Sequence, residues 1–261
     1  MTEGRKLRRF FCGETLHSPG QVVTVDPGET HHLKDLIRIQ PGGQCLLMDG
    51  NGTEAVAEVT AFSKEGRTSL TILHLSARAL APARFSIRVL ASLLQKNKMD
   101  DLVEKLQELG AEEIHPVIAE RSELRLSKEQ QEKITRRWSK KIIEAGKQSG
   151  TLRLLKVGGF ERLEHAFRHI PPEHWVAFFH PERGLMPFHD WSESLKKIPG
   201  PAVVNVVFGP EGGFSDREVA WARAEAGQRK GKMVLVRLTD TLLKAETAIL
   251  GTVASLRFLF P

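Results

Sequence analysis

The stretch that most restricts what this chain can fold into is Val203–Pro261. Val203-Val204-Asn205-Val206-Val207-Phe208 is a short apolar, β-branched run that stops at Gly209-Pro210-Glu211-Gly212-Gly213-Phe214-Ser215. Bounded by Gly and Pro, such a run predicts a buried strand. Ser215 and Glu218 then stand three apart, the spacing of a capping box, and Asp216 falls in the first turn, where the helix dipole favours an acid. The plan repeats: Met233–Arg237 predicts a strand, Leu238-Thr239-Asp240-Thr241 a turn, and Leu243–Phe258 an apolar-rich helix. Two parallel strand ends, each followed by a loop and a helix N-terminus, bound a crevice of the kind in which α/β proteins hold small molecules. Gly209, Gly212 and Gly213 let a ligand approach the main chain, and Pro210 stiffens the turn. The same residues also suit a glycine-rich connection that holds nothing, and spacing alone does not separate the two readings. No phosphate loop (GxxxxGK before Ser or Thr) and no GxGxxG occurs, which argues against an ordinary nucleoside triphosphate site.

Upstream, residues 1–80 read as mostly β. Val22–Val25, Gln44–Met48, Ala55–Thr60 and Ser69–Leu75 are short β-rich runs, with turns at Pro41-Gly42-Gly43 and Asp49-Gly50-Asn51-Gly52. Their spacing predicts a small barrel or sandwich. Arg5, Lys6, Arg8 and Arg9 precede Phe10-Phe11, and His31-His32-Leu33 leads to Arg38. Cations beside aromatic rings suit RNA phosphates and unpaired bases, and suit equally a solvated basic terminus packing two core phenylalanines. A linker is expected at Ala79-Leu80-Ala81-Pro82-Ala83, dividing the chain into residues 1–79 and 80–261.

Beyond it the pattern alternates. Phe85–Leu94 predicts a strand, Asp100–Leu109 a helix closed by Gly110, and Ile114–Ile118 a strand. A long helix is expected from the Ser127-x-x-Gln130 cap towards Lys147, then strands at Leu152–Val157, Trp175–Phe179 and Val203–Phe208. Alternation of this kind implies a parallel sheet covered by helices. The long helix spreads Arg136, Arg137, Lys140 and Lys141 over one broad face, which is either a solvated surface or a stripe for RNA.

Composition removes other classes. No apolar stretch approaches the ~18 residues of a spanning helix, so no membrane segment is expected, and the polar start lacks a secretory signal. Cys12 and Cys45 are the only cysteines, which suits reduced thiols in the cytoplasm and supplies no zinc-binding set; no metal is expected. The formal charge of +6 permits broad contact with phosphates whose strength falls with salt.

Phe208-Gly209-Pro210-Glu211-Gly212-Gly213-Phe214-Ser215, with Leu242-Leu243-Lys244-Ala245-Glu246-Thr247-Ala248, resembles the RsmE family of 16S rRNA (uracil-N3) methyltransferases, in the SPOUT superfamily of S-adenosylmethionine-dependent enzymes. Lys98-Met99-Asp100, Lys105, Glu108-Leu109-Gly110, Glu120-Arg121-Ser122, Trp138, Glu144-Ala145, Gln148-Ser149-Gly150 and His180-Pro181 extend the likeness in order along the chain. The Arg-Arg-Phe-Phe start, the spacing of His32 and Arg38 and the Asp49-Gly50 turn resemble that family's PUA-like N-terminal domain. The resemblance implies an α/β parallel-sheet SPOUT domain with a C-terminal trefoil knot, preceded by a small PUA-like β-barrel that binds RNA. It implies S-adenosyl-L-methionine as cofactor, N3 of a uridine in 16S rRNA of the small ribosomal subunit as target, a homodimer packed partly through the last helix, and a cytoplasmic location. By periodicity alone a knot would not be expected.

The resemblance puts Phe208, Gly209, Glu211, Gly212 and Gly213 against the cofactor, with Val236, Leu238 and Leu243 as its apolar wall. Glu246 and Thr247 either cap the last helix or meet the reacting base. Arg121, Arg9 and Lys244 are placed at RNA phosphates or at a uridine anion, so that Glu246, Arg121 and Lys244 form the expected catalytic set and Arg8, Arg9, Arg38, Arg136 and Arg137 the RNA-binding set. For the proton on N3, Glu211, Glu246, His180 and bulk water all stay open as acceptors. The chain departs from the family where members place Gly and Arg and it has Thr239 and Thr241, where they place Arg and it has Lys244, and at Thr151. Lysine does not replace a forked guanidinium. Two alternatives follow: a SPOUT methyltransferase acting on another RNA, or a ribosome-associated RNA-binding protein that has lost methyl transfer.

Overall fold

The computed structural model of the chain describes residues 7–76, 83–122 and 126–261. Arg5, Lys6 and all of the expected linker except Ala83 lie outside the described residues. Two compact units divide the chain: Met1–Ala81 with Ile143–Leu154, and Pro82–Ile142 with Leu155–Pro261.

In the first unit β1 (Arg9–Phe11), β2 (Val22–Val25), the short helix α1 (Pro27–His31), β3 (Gln44–Met48), β4 (Glu54–Phe62) and β5 (Thr68–Leu75) follow in order. The sheet runs β1-β3-β4-β5-β2 and curls into a PUA-like half-barrel. β1 joins β3 in parallel, and the other pairs are antiparallel. Period-two alternation fills the inner face: Ala55, Ala57 and Val59 from β4 meet Leu70 and Ile72 from β5, Val23 and Val25 from β2, and Phe10. Phe10 belongs to a strand that composition had not marked, because Phe10 is wholly buried while its basic neighbour Arg8 stays exposed. Cys12 and Cys45 are free and buried in this core, where burial pushes their thiols up to about 11 and about 12, so both stay protonated.

A buried ionic cluster fastens residues 143–154 to this sheet. Lys147 Nζ meets Glu29 Oε1 at 2.7 Å and Glu144 Oε1 at 2.7 Å, and its carbonyl accepts from Arg9 at 2.9 Å. Arg9 pairs in turn with Glu54 at 2.6 Å. Leu154 N donates to Gly50 O at 2.9 Å, which takes this amide out of any strand ladder at residues 152–155. The strand expected over Leu152–Val157 is therefore reduced to Lys156–Val157.

The second unit contains β6 (Phe85–Ser92), α2 (Lys96–Glu108), β7 (Glu113–Ile118), α3 (Lys128–Ser149, whose last turns belong to the first unit), β8 (Lys156–Val157), β9 (Glu161–Arg162) and α4 (Leu163–Arg168). β10 (Trp175–Phe179), β11 (Met186–Pro187), α5 (Phe188–Leu195), β12 (Ala202–Phe208), α6 (Asp216–Gln228), β13 (Met233–Arg237) and α7 (Ala245–Leu259) complete it. The sheet order is β11-β13-β10-β12-β6-β7-β8, with β9 also on β7, and every pairing is parallel. β12 is buried along Val204–Phe208, as a strand covered on both faces requires, and the buried Asn205 in it donates its side-chain amide to Trp175 O at 3.2 Å. After β13 the chain turns back, and α7 packs on α2 and β6. α2 starts four residues before the expected Asp100, and Gly110 ends it at φ +69. Ser127 and Gln130 cap α3 reciprocally, at 2.8 and 3.3 Å.

Lys147→Met should lower stability in urea unfolding by about 3 kcal/mol, because it leaves Glu29 buried without its cation. Burial pushes the Lys147 pKa down, but Glu144 and Glu29 outweigh it and raise the value above that of a free lysine. A raised folded pKa gives a contribution that is fully present below the unfolded lysine pKa of about 10.4 and is lost as pH rises through the folded value. The gap between wild type and variant should therefore stay constant from neutral pH to about pH 9.

Candidate active site

A cavity of about 660 Å³, the size of a small-molecule site, opens outside the carboxyl ends of β10, β12 and β13. Its base is aromatic. Phe179 at the end of β10 stacks on Phe208 at the end of β12, with centroids 4.5 Å apart and planes 4° off parallel. His180 and Pro181 extend β10 along the cavity. Residues Gly209–Phe214 form one wall, and Leu238, Thr239 and Thr241–Ala245 form the facing one.

The first wall is a turn set by its glycines. Gly213 takes φ +70 and donates to Pro210 O at 2.8 Å. A Cβ at Gly209 would stand 3.0 Å from the Phe214 ring, so the bare main chain is what leaves room there. The turn is anchored at its far end by the capping box that its sequence predicts. Glu218 N donates to Ser215 Oγ at 3.1 Å, and Ser215 N donates to Glu218 Oε2 at 2.8 Å. Glu218 Oε1 then accepts from Glu120 N at 2.9 Å, tying the helix start to the segment after β7. The Ser215 hydroxyl, then the Arg217 guanidinium at 2.5 Å, hold the Glu120 carboxyl below the usual range.

The second wall carries Thr239, Thr241 and Lys244, and its two threonines bond to each other. Thr239 Oγ1 donates to Thr241 O at 2.6 Å, so the threonines fix the bend that they occupy. Lys244 is the exposed N-cap residue of α7.

Lys98, in the first turn of α2, reaches the cavity and joins its parts. Its ammonium is hydrogen-bonded to Glu211 Oε1 on the first wall and lies 3.4 Å from Glu246 Oε1 in the first turn of α7. The other oxygen of Glu246 is buried with no hydrogen-bond partner. Arg121 donates to Phe214 O at 3.1 Å and is 3.7 Å from Asp216. His180 has a buried Nδ1 without a hydrogen bond, 3.6 Å from Glu182 Oε2, and burial pushes its pKa below the ordinary value, so the ring is neutral near pH 7.

Of the residues expected at a cofactor, Phe208, Gly209, Glu211, Gly212, Gly213, Leu238 and Leu243 line the cavity. Val236 is wholly buried in β13, where its carbonyl accepts from His180 N at 3.0 Å. Thr247 is exposed in the first turn of α7. In the expected catalytic set, Arg121 and Lys244 line the cavity, and Glu246 meets it through Lys98. Arg8, Arg38 and Arg136 are exposed and have no ion-pair partner among the described residues. Arg9 is held by Glu54, and Arg137 is held by Asp100 through Nη2 at 2.8 Å and Nε at 3.1 Å. Lys98, Phe179, Phe214, Leu242 and Ala248 were not singled out for the site from sequence. Lys98 could not be placed from sequence, because the sequence predicts the helix only from Asp100, and it is the earlier start of α2 that sets Lys98 in the first turn, where the dipole disfavours a cation. Among the described residues Glu161, His165 and His169 bring metal-ligating atoms together at the surface, with Glu161 Oε1 at 3.0 and 3.7 Å from the two rings; none of the three lines the cavity.

An all-parallel sheet with a glycine-walled cavity at its carboxyl edge, in a chain that also carries a PUA-like β unit, is the architecture of an α/β protein with a small-molecule site and an accessory domain. Residues 81–257 match the family described as RNA methyltransferase domain, and residues 25–66 match the RNA methyltransferase PUA domain. The chain belongs to this RNA methyltransferase family. It is 25% identical to Ribosomal RNA small subunit methyltransferase E of Bacillus subtilis over 97% of its own length and 96% of the relative's. The namesake from Mycobacterium bovis is 28% identical over 92% and 87%. A crystal structure of Ribosomal RNA small subunit methyltransferase E from Neisseria gonorrhoeae, bound to S-adenosyl methionine, superposes with a TM-score of 0.79 at 29% identity, covering 97% of this chain and 98% of that one.

Gly213→Ala should cost about 1–2 kcal/mol in denaturant unfolding, since φ +70 is left-handed backbone, and Gly213→Asn should cost measurably less. Equal losses would mean that the turn does not require that conformation.

Proposed function

We propose that this chain transfers a methyl group from S-adenosyl-L-methionine to N3 of a uridine in the 16S rRNA of the small ribosomal subunit. The observation that carries the reading is the glycine-walled cavity at the carboxyl edge of the sheet, whose lining falls within the residues that match the RNA methyltransferase family. Its residues fit the cofactor. The volume is adequate, the glycine-rich Gly209–Gly213 main chain lines one side, and Phe208, Leu238 and Leu243 supply apolar contact for the nucleoside. Once bound, the cofactor supplies a methyl group already activated by a sulfonium charge.

The chain's own residues must do the rest. N3 lies on the Watson–Crick edge, so the uridine has to be unpaired or drawn from its stack before it reaches the cavity. Arg121 and Lys244 on the rim bind phosphates flanking the target, and exposed Arg8, Arg38 and Arg136 add contact along the RNA. Arg9 and Arg137 contribute by holding structure, since both guanidiniums are already paired. Residues 1–79 serve as the RNA-binding domain, with residues 143–154 packed into it, and the remainder of residues 80–261 serves as the methyltransferase. Exposed Phe258 and Leu259 at the end of α7 suit a homodimer packed through that helix, and the return of α7 from β13 to β6 suits a trefoil knot. A cytoplasmic location agrees with two unpaired thiols; no helix among the described residues is long and apolar enough to cross a membrane.

Two measurements test the reading. Mass spectrometry of 16S rRNA from a deletion strain should show one N3-methyluridine missing and restored by complementation; full methylation in the deletion strain would overturn the assignment. Calorimetry should show S-adenosylmethionine binding to the wild type. Thr239→Val should weaken that binding about fivefold, the equivalent of one neutral hydrogen bond of ~1 kcal/mol, because the bend at Thr241 is then no longer held.

A further inference from the structure

We infer that Lys98 is a catalytic residue that stabilises the negative charge arising on a uracil carbonyl oxygen beside N3 as the methyl group is transferred. The assignment rests on the methyl-transfer reading above and deepens it. Three observations converge. Lys98 lines the cavity from α2, more than 100 residues before either wall in the chain. Its ammonium is held from both sides, by Glu211 on the first wall and by Glu246 at the start of α7, so that it faces the space where the two walls meet. And it occupies a costly place: the first turn of α2 has no acidic residue, its N-cap Gln95 makes no side-chain capping bond, and a cation there adds to the positive helix end. A local rule broken in this way at the lip of a cavity marks a group kept for chemistry.

Glu246 explains how the lysine is kept in place. One of its oxygens faces Lys98, and the other is buried without a partner, a desolvation cost that the ammonium offsets. Glu246 is thus a positioning residue. Glu211 is the more exposed of the two carboxylates and lines the cavity, so it can exchange its bond to Lys98 for one to the base. In the transfer the N3–H bond breaks, its proton passes to a Glu211 oxygen, and its electron pair forms the N3–CH3 bond. The sulfur keeps the pair of the broken S–CH3 bond and becomes a neutral thioether. Lys98 stays protonated throughout, and the net charge is unchanged: one carboxylate and one sulfonium are neutralised together. An ammonium aimed at charge that exists only in the transition state acts as oxyanion donors do.

The test compares wild type and Lys98→Met on RNA containing uridine and on the same RNA made with 5-fluorouridine, whose N3 proton is more acidic. Lys98→Met should lose about 100-fold in single-turnover rate on the uridine RNA, the cost of one such donor. It should lose far less on the 5-fluorouridine RNA, and Lys98→Arg should recover part of the rate on uridine. Calorimetry with S-adenosylhomocysteine should give the variant an affinity within about threefold of wild type. Equal losses on both RNAs, or a matching loss of S-adenosylhomocysteine affinity, would make Lys98 a structural prop and overturn the inference. A wild type that binds the cofactor but methylates neither RNA would overturn the methyl-transfer reading itself, and the role of Lys98 with it.

Discussion

The second unit depends on a backbone constraint: β10 hydrogen-bonds in parallel to β12 on one side and to β13 on the other. Because all three strands point the same way, their following loops must leave from the same edge. The loop after β12 and the loop after β13 therefore face each other across the end of β10, and the space between them is the cavity. No side chain in either loop has to create that arrangement. Side chains decide how firmly it is held, through the Ser215–Glu218 box, the Thr239–Thr241 bond and the Lys98 bridge.

The firmness differs between the walls, and the difference has a physical source. The first wall runs into a helix whose start is capped reciprocally and tethered to Glu120, so displacing it would cost several hydrogen bonds at once. The second wall ends at α7, whose N-cap Lys244 makes no side-chain capping bond. Its Leu242 is almost fully exposed at 84%.

Charged residues show where linear reading loses information. Arg8, Arg9, Arg136 and Arg137 are indistinguishable by composition, since each belongs to a basic run. Folding separates them: Arg9 meets Glu54 and Arg137 meets Asp100, 45 and 37 residues distant, while Arg8 and Arg136 stay exposed. Lys147 shows the same effect more strongly. It closes an apparently solvated basic helix, yet it is buried against Glu29, 118 residues away. A cation reads as surface until its counter-ion is known, and the counter-ion is set by the fold.

The sequence by itself determined the elements and their chemistry. The β-branched run of Val203–Phe208, polar only at Asn205, required a buried strand, Ser215 and Glu218 required a helix start, and the glycines after Phe208 required an open turn, all because these signals act within a few residues. Only the tertiary structure decided that β10 lies between β12 and β13, that Lys98 bridges Glu211 and Glu246, and that residues 143–154 belong with the β sheet. Those outcomes follow from pairings between residues far apart along the chain, whose free energy comes from hydrogen-bond ladders and desolvated charges that no local window contains.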